Sequence, residues 1–548
     1  MAEKRSIKKF LFEYKGYLSI FVISSILSTI ITTIIPIYNG KFIDALIGSN
    51  DFDEILQFII IIIPLSLIGS VLQYASNIYS VKLSSASSFD DLSNEVKHIQ
   101  KIPYDSFISK FNPAYLVKRL SIDLETVYNF VIGNVVSIPL QAAVFCFSIA
   151  VIASISYQIL AVSILFLPIY VVCYALLKKP LFDRGVKLKE EQSQLYKVVN
   201  DEVANIQDIK VNVSFDSSSK RRQKSFRSYY SSLISYSKIK YVFSSLDNIV
   251  GIIFQSLILI LSGILIINGE MTVGQFTIIN SYFYLLITAV KYYFNLGKSY
   301  QDYQSSMSRL NEIDSIEEEK NGNIHLDTIN NIEVTKITYR YPNSGMPAVS
   351  DFSANFEKDN ITWISGPNGS GKTTLLNILL GIVQRFESGD VKYADLNISD
   401  VDVYSARTEL FSVLLQNGYS GDSTVRELID EQLKIQENEV PSLVSLMGLD
   451  DLLMTDKFRI TDHLDKKFDE LSGGEKQRVR LFLTLGKQKP IIVLDEPNNA
   501  LDERGIEALL QYLNKIKKGR IIIVVSHDRR ISAIADKKIE MIPHIPTE

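Results

Sequence analysis

Hydrophobic and polar positions divide the chain into two halves. In the first three hundred residues, six apolar stretches each approach the ~20 residues that a bilayer-crossing helix needs. They are Tyr17–Asn39, Ile55–Ser80, Val131–Ser154, Tyr157–Leu177, Asp247–Asn268 and Val273–Phe294. Buried helices of a soluble protein could imitate one or two of these, but six in succession read as a membrane domain. The first ten residues are basic, yet the long apolar run after them lacks a small-residue cleavage site and reads as a retained span. Ser6–Lys15 sets Ile7, Phe10, Leu11 and Tyr14 at helical spacing, as expected of a short helix on the membrane surface. The segments after the second and fourth spans are long, poor in Gly and Pro, and apolar every three or four residues. The spans are therefore expected to continue as helices beyond the bilayer.

The pattern changes at Arg309–Asp327, which is acidic and polar and reads as the end of a long helix and a linker. Beyond it, Asn331–Tyr341 and Val349–Phe356 alternate with a period of two, as strands joined by a turn at Pro342 and Gly345. Ile361–Ser365, Pro490–Pro497 and Ile521–Val525 are instead continuous apolar runs, the signature of parallel strands buried on both faces. The expected organisation is an α-helical membrane domain over 1–310, a linker over 311–328 and an α/β domain over 329–548.

Composition agrees: 47% of residues are hydrophobic and the mean hydropathy is +0.12. Lys and Arg concentrate in the loops after the second and fourth spans, which places those loops and both termini in the cytoplasm of a plasma-membrane protein. The net charge of −4 gives no basis for a nucleic-acid partner. The basic cluster Lys220–Arg227 lies between two spans and reads as a solvated helix face near the membrane. The five histidines lack metal-ligand spacing, and Cys146 and Cys173, both in apolar runs, read as free, buried thiols.

Chemistry enters at Gly366–Thr374, GPNGSGKTT, which fits G-x-x-x-x-G-K-[ST] with a strand before it and a helix after it. Gly366, Gly369 and Gly371 let successive N–H groups turn inward, and Asn368 and Ser370 complete a phosphate-sized loop at a helix N-terminus. Lys372 would reach the β- and γ-phosphates, Thr373 would offer its hydroxyl to Mg²⁺, and Thr374 would face the α-phosphate. Asp495 ends an apolar strand and suits a Mg²⁺ site, and Glu496 beside it suits the polarisation of an attacking water. His527 ends another strand as a candidate γ-phosphate sensor. Ser472, Gly473 and Gly474 open a helix and form a second anion-binding surface, whose phosphate is expected to belong to a partner.

The order of phosphate loop, LSGGEKQR, LDEP, NALD and SHD resembles the nucleotide-binding domain of an ATP-binding cassette protein. With six preceding spans, the whole chain resembles an exporter half-transporter. The resemblance implies a P-loop α/β domain with an antiparallel β subdomain and an α-helical subdomain, and ATP and Mg²⁺ as cofactors. It also implies adenine stacking by Tyr341, contact of Gln416 with Mg²⁺ and the attacking water, and an interface loop at Asn499–Asp502. Short coupling helices are expected near Phe111–Lys118 and Asn205–Val213. Two departures stand out: the segment before LSGG is Asp462–Glu470, without the family's frequent glycine, and Asn499 replaces the usual serine.

These features point to ATP-driven export of an amphipathic cargo, peptide or drug-like, by a homodimer, because one chain carries a full motif set. A lipid flippase is the alternative. A nucleotide-gated channel or regulator is the rival from another class, though it need not keep Glu496 and His527. The sixth span, with Tyr282, Phe283, Tyr284, Tyr292, Tyr293, Phe294 and Lys291, is expected to line the cargo path, Lys291 either snorkelling to the interface or facing a cavity.

Overall fold

The computed structural model describes residues 13–48, 52–111, 113–342, 344–416, 418, 421–456 and 458–542, leaving aside the side chains of 54, 113–115, 118, 119, 173, 174, 178, 247 and 298. Most of the expected surface helix, Ser6–Lys15, lies outside the described residues. The chain forms two compact units, one of residues up to Asn94 with Arg119–Glu312, the other of Glu95–Lys118 with Ile313 onward.

Helices α1 (Lys15–Gly48), α2 (Phe52–Gln100), α3 (Tyr104–Lys110), α4 (Pro113–Ile155), α5 (Tyr157–Ala204), α6 (Ile206–Val211), α7 (Phe215–Ile267) and α8 (Val273–Asp314) fill the first three hundred residues. Six of them, all but α3 and α6, are long and apolar enough to cross a membrane, and each carries one expected span, α7 ending one residue short of Asn268. The 53 residues of α7 give a length of about 80 Å at ~1.5 Å per residue, far beyond a ~30 Å hydrocarbon core. Pro36, Pro64, Pro139, Pro168 and Pro180 sit inside these helices, where neighbouring groups in a membrane protein can accommodate the lost hydrogen bond.

Packing in the membrane unit rests on aromatic rings and short polar links. Phe166 meets Phe254 and Phe283 edge-on, with centroids 5.4 and 5.8 Å away. Ser25 of α1 and Ser76 of α2 share a hydrogen bond of 2.7 Å, a link that small residues permit between close helices. Asp123 of α4 is buried and accepts from Arg309 Nε at 2.8 Å and Ser306 Oγ at 3.0 Å on α8. Removing one partner of such a pair strands a buried charge, so Arg309→Ala should cost roughly 3 kcal/mol. A thermal-unfolding midpoint equal to that of the parent protein would show that the pair holds nothing together.

Two expectations change. The short helix after α2 is Tyr104–Lys110, not Phe111–Lys118: Pro103 precedes it, Phe111 is extended, and Pro113 opens α4 at a position that needs no N–H donor. The second short helix, α6, falls within Asn205–Val213. Cys146 is exposed on α4, because an apolar position in a membrane helix need not face protein; the Cys173 side chain lies outside the described set.

In the second unit, β1 (Asn331–Tyr339), β2 (Val349–Glu357), β4 (Ser388–Tyr393) and β5 (Leu396–Asn397) form an antiparallel sheet in the order β2-β1-β4-β5. A parallel sheet runs β11-β3-β10-β9-β6, with β3 Asn360–Ser365, β6 Phe411–Leu414, β9 Ile491–Asp495, β10 Ile521–Val525 and β11 Lys537–Glu540. Its strands β9 and β10 are buried at every position, as their unbroken apolar runs require. Helices α9 (Lys372–Leu379) and α10 (Val403–Glu409) precede β6. The segment between β6 and β9 carries α11 (Val425–Leu433), α12 (Val440–Met447), α13 (Asp450–Leu453), the hairpin β7–β8 (Met454–Thr455, Phe458–Arg459) and α14 (Gly473–Gly486); α15 (Glu503–Ile516) follows β9. Part of the linker segment is stitched down: Gly322 and Ile324 donate to Val401 and Asp400 carbonyls at 3.0 Å, and Asn321 Oδ1 accepts from Val403 N–H at 2.8 Å. The residues at 321–324 therefore form an edge of this unit.

Candidate functional site

Strands β3, β10 and β9 are neighbours and share one register, in which Ile364, Val525 and Asp495 are aligned. The residues after these ends, Gly366–Lys372, Ser526–His527 and Glu496, are thus delivered side by side at the carboxyl edge where α/β sheets bind ligands.

Gly371 has φ +88°, and a Cβ there would sit 2.1 Å from the Ala348 carbonyl oxygen; Gly366 has φ +149°, and its Cβ would sit 2.4 Å from the Met541 oxygen. Both positions require glycine. Gly369, at φ +81°, is open on its outer side. Lys372 is buried and folds over the loop, donating at 2.9 Å to both the Gly366 and Pro367 carbonyls. Its ammonium is therefore held where a phosphate can exchange for a carbonyl. Ser370 Oγ is buried without a partner among the described residues, while Thr373 is exposed. Thr374 Oγ1 lies 3.3 Å from the Tyr341 hydroxyl, and the Tyr341 ring packs edge-on against Tyr339 at 5.0 Å.

Asp495 is 3% exposed, and its Oδ2 has no hydrogen-bond partner among the described residues. Burial first, and then the neighbouring Glu496, push its carboxyl up to about 6, against the Gln416 N–H and Lys372. A buried carboxylate oxygen left unpaired at the carboxyl edge of the sheet suits a hard divalent cation, so Asp495 fits Mg²⁺. Gln416 meets this carboxylate through its backbone; its side chain is exposed.

Glu496 has φ +48°, a strained value for a residue with a side chain. Its N–H donates to the Val525 carbonyl at 2.8 Å, and Gln477 Nε2 donates to the carbonyls of Glu496 and Pro497 at 3.4 and 3.0 Å. These bonds fix a conformation that aims the carboxylate at the sheet edge. Ser526 Oγ lies 3.4 Å from Glu496 Oε2 and 2.6 Å from Asn498 Oδ1. His527 Nε2 lies 3.6 Å from Glu496 Oε1 and 3.1 Å from Asn368 Oδ1, so it bridges the carboxylate to the phosphate loop.

Ser472 caps α14 in a reciprocal box with Glu475, donating its N–H to Oε2 at 2.7 Å and accepting the Glu475 N–H at 3.4 Å. Ser472 and Gly473 are exposed, and among the described residues the Ser472 hydrogen bonds stay within α14. The structure thus gathers the loop, Asp495, Glu496, His527 and the Gln416 backbone, and leaves Ser472 and Gly473 exposed, with Gly474 half-buried against Ala500. Sequence reasoning gave no role to Gln477, Ser526 or His463. Gln477 and Ser526 lie in the motifs already singled out, LSGGEKQR and SHD, whereas the isolated His463 carries no spacing signal.

The family model for the ABC transporter transmembrane region matches residues 18–290, and the ABC transporter model matches residues 349–499. The chain belongs to the ABC transporter family. It is a half-transporter of the exporter type, six membrane-crossing helices followed by one ATP-hydrolysing domain. The transport/processing ATP-binding protein ComA of Streptococcus pneumoniae is 22% identical over 94% of this chain and 72% of its own length. The nisin transport ATP-binding protein NisT of Lactococcus lactis is 28% identical over 53% of this chain and 49% of its own. The ATP-dependent lipid A-core flippase of Photobacterium profundum is 24% identical over 95% and 89%. A bacterial Atm1-family ABC exporter with ATP bound superposes with a TM-score of 0.78 at 16% identity, over 98% of this chain and 94% of that one. That likeness concerns the fold.

Proposed function

We propose that two copies of this ABC transporter pair in the plasma membrane, termini and nucleotide domains in the cytoplasm, to export an amphipathic cargo. Each ATP would lie between the phosphate loop of one copy and Ser472–Gly474 of the other. The observation that carries this reading is that one chain presents both surfaces, the second exposed and hydrogen-bonded only within its own helix among the described residues. A mass of the detergent-solubilised protein equal to two chains is expected; a one-chain mass, or an obligatory second polypeptide, would end the homodimer reading.

In this reading Lys372 and the loop N–H groups bind the β- and γ-phosphates, and Tyr341 supports the adenine end. Thr373, Asp495 and Gln416 would hold Mg²⁺, which when bound would supply charge neutralisation at those phosphates. Glu496 orients and polarises the attacking water. His527, tied to Glu496 and Asn368, holds its Nε2 toward the γ-phosphate. Docking of Ser472–Gly474 adds contacts available only in the paired state, so ATP favours that state.

For the cargo, the membrane unit offers a cavity of about 470 Å³ bounded by Thr32, Ile35, Gln255, Asn280, Ser281 and Tyr284, among others. Tyr284 is exposed, but Tyr282 and Phe283 are buried in helix packing, and Tyr292 and Tyr293 bond to Asn134 and Ile138 of α4. The aromatic lining expected of the whole sixth span thus narrows at this cavity to Tyr284 and the largely buried Phe283. Gln255 Nε2 donates to Asn280 Oδ1 at 3.2 Å, leaving one amide oxygen and one amide nitrogen to match a peptide group. A lipid cargo is the second reading, favoured by the flippase relative that aligns over most of both chains. Gln255→Leu should lower the ratio of stimulated to unstimulated ATPase for synthetic apolar peptides in vesicles; Lys291→Ala should do so if the cargo also carries an anion. Stimulation by phospholipid, but by no peptide of the panel, would favour the second reading.

A further inference from the structure

His463 ends the short turn Ile460–His463 on the approach to α14. Its ring is buried, 8% exposed, and stacks on Phe458 at 4.9 Å. Both ring nitrogens face oxygen. Nδ1 lies 2.8 Å from the Arg459 carbonyl, which can only accept, and Nε2 lies 2.9 Å from Glu475 Oε1. Glu475 is an anion, its carboxyl held down to about 2 chiefly by hydrogen bonds from Ser472 and then by His463. A neutral imidazole has one N–H and one lone pair, so it can satisfy only one of these oxygens. The imidazolium satisfies both.

The charges around the ring leave Glu475 as its partner. Arg478, on α14, lies 5.7 Å from the centre of the Phe458 ring, and its Nη2 pairs with Asp502 at 2.7 Å. Asp462, on the ring's own turn, is exposed. The Glu475 carboxylate is therefore clamped from two sides, Oε1 by His463 and Oε2 by the Ser472 N–H.

We propose that His463 is a positioning residue for the Ser472–Gly474 surface, and that its protonated ring locks Glu475, and through it Ser472, in the geometry that engages the ATP of the second copy. The inference rests on the two-copy reading of that surface under Proposed function. It has a definite sign: the proton favours the docked arrangement, so engagement of ATP weakens as pH rises and His463 becomes neutral. The lock acts through Glu475, not by contact with nucleotide.

The test is ATP hydrolysis by the full chain in detergent, with KM and kcat measured from about pH 5 to about pH 8, the range in which an imidazole side chain changes charge. In the parent protein KM for ATP should rise about threefold or more across this range, with a smaller change in kcat. In Glu475→Gln the amide oxygen still accepts from Ser472, while the amide nitrogen faces Nε2 and favours the neutral ring, so the rise should vanish or reverse. In His463→Gln it should vanish. An equal rise in all three proteins overturns the proposal. As a check that does not need turnover, the upward shift in unfolding midpoint on adding Mg-ATP to Glu496→Gln protein should be larger at the low pH. Adding His463→Gln should abolish that difference, and persistence of the difference would also overturn the proposal. If copies carrying Lys372→Ala and Ser472→Arg regain ATPase when paired with each other yet the pH profiles stay parallel, the role of His463 fails while the two-copy site stands; if the mixed pair stays inactive, the two-copy site fails with it.

Discussion

Glu496→Gln is expected to bind ATP as the parent protein does and to hydrolyse it at least about a hundredfold more slowly, the usual contribution of a positioned general base. The substitution keeps the size of the side chain and leaves untouched the backbone bonds that hold residue 496 at φ +48°, from its N–H to Val525 and from Gln477 to its carbonyl. What it removes is the charge facing His527 and Ser526. With the phosphate loop intact, the variant should accumulate a stable ATP-bound pair of nucleotide domains, seen as nucleotide retained through gel filtration. Hydrolysis near the parent rate would remove Glu496 from the water-polarising role.

Gly371→Ala should abolish ATP binding for a reason visible in the backbone. At φ +88° an L-residue already costs roughly 1–2 kcal/mol, and the new Cβ would lie 2.1 Å from the Ala348 carbonyl, which β2 holds nearby. The loop must move, and with it the N–H groups and Lys372 that shape the phosphate site. Loss of binding by more than about a hundredfold, measured with a fluorescent ATP analogue, is expected with the helical membrane unit still folded, because the atoms nearest the new Cβ, in Ala348 and Val349, lie within the second unit. Parent-like binding would mean that the loop tolerates a geometry it does not show.

The sequence carried the spans because twenty apolar residues in a row have few physical meanings, and it carried β9 and β10 because IIVLD and IIIVV leave almost no polar position to expose. It was less informative where structure depends on contacts distant in the chain. The packing of 321–324 against 400–403 relies on backbone groups and Asn321, which in sequence look like an ordinary polar linker. The short helix fell at Tyr104–Lys110 because Pro103 and Pro113 punctuate the chain there, a local signal that the family resemblance pointing to Phe111–Lys118 does not contain. At the site, motif order located the loop, Asp495, Glu496 and His527. Motif order could not reveal the strain at Glu496, the Gln477 brace beneath it, or that Gln416 meets Asp495 through its backbone. In the sixth span, aromatic content alone did not separate Tyr282, buried and donating to the Thr33 carbonyl, from the exposed Tyr284.

Mixed copies of the chain reveal whether each ATP is handled by residues from two copies. Lys372→Ala disables a phosphate loop, and Ser472→Arg disables the opposing surface, so either variant alone should be inactive. Co-assembled and purified through two different tags, a pair with one variant in each copy rebuilds one intact site, from the loop of the Ser472→Arg copy and the helix terminus of the Lys372→Ala copy. A two-fold symmetric pair has two such sites, so the mixed protein should recover up to about half of the parent ATPase. A mixed protein as inactive as either variant alone would mean that each site is completed within a single chain, and would contradict the shared two-copy site.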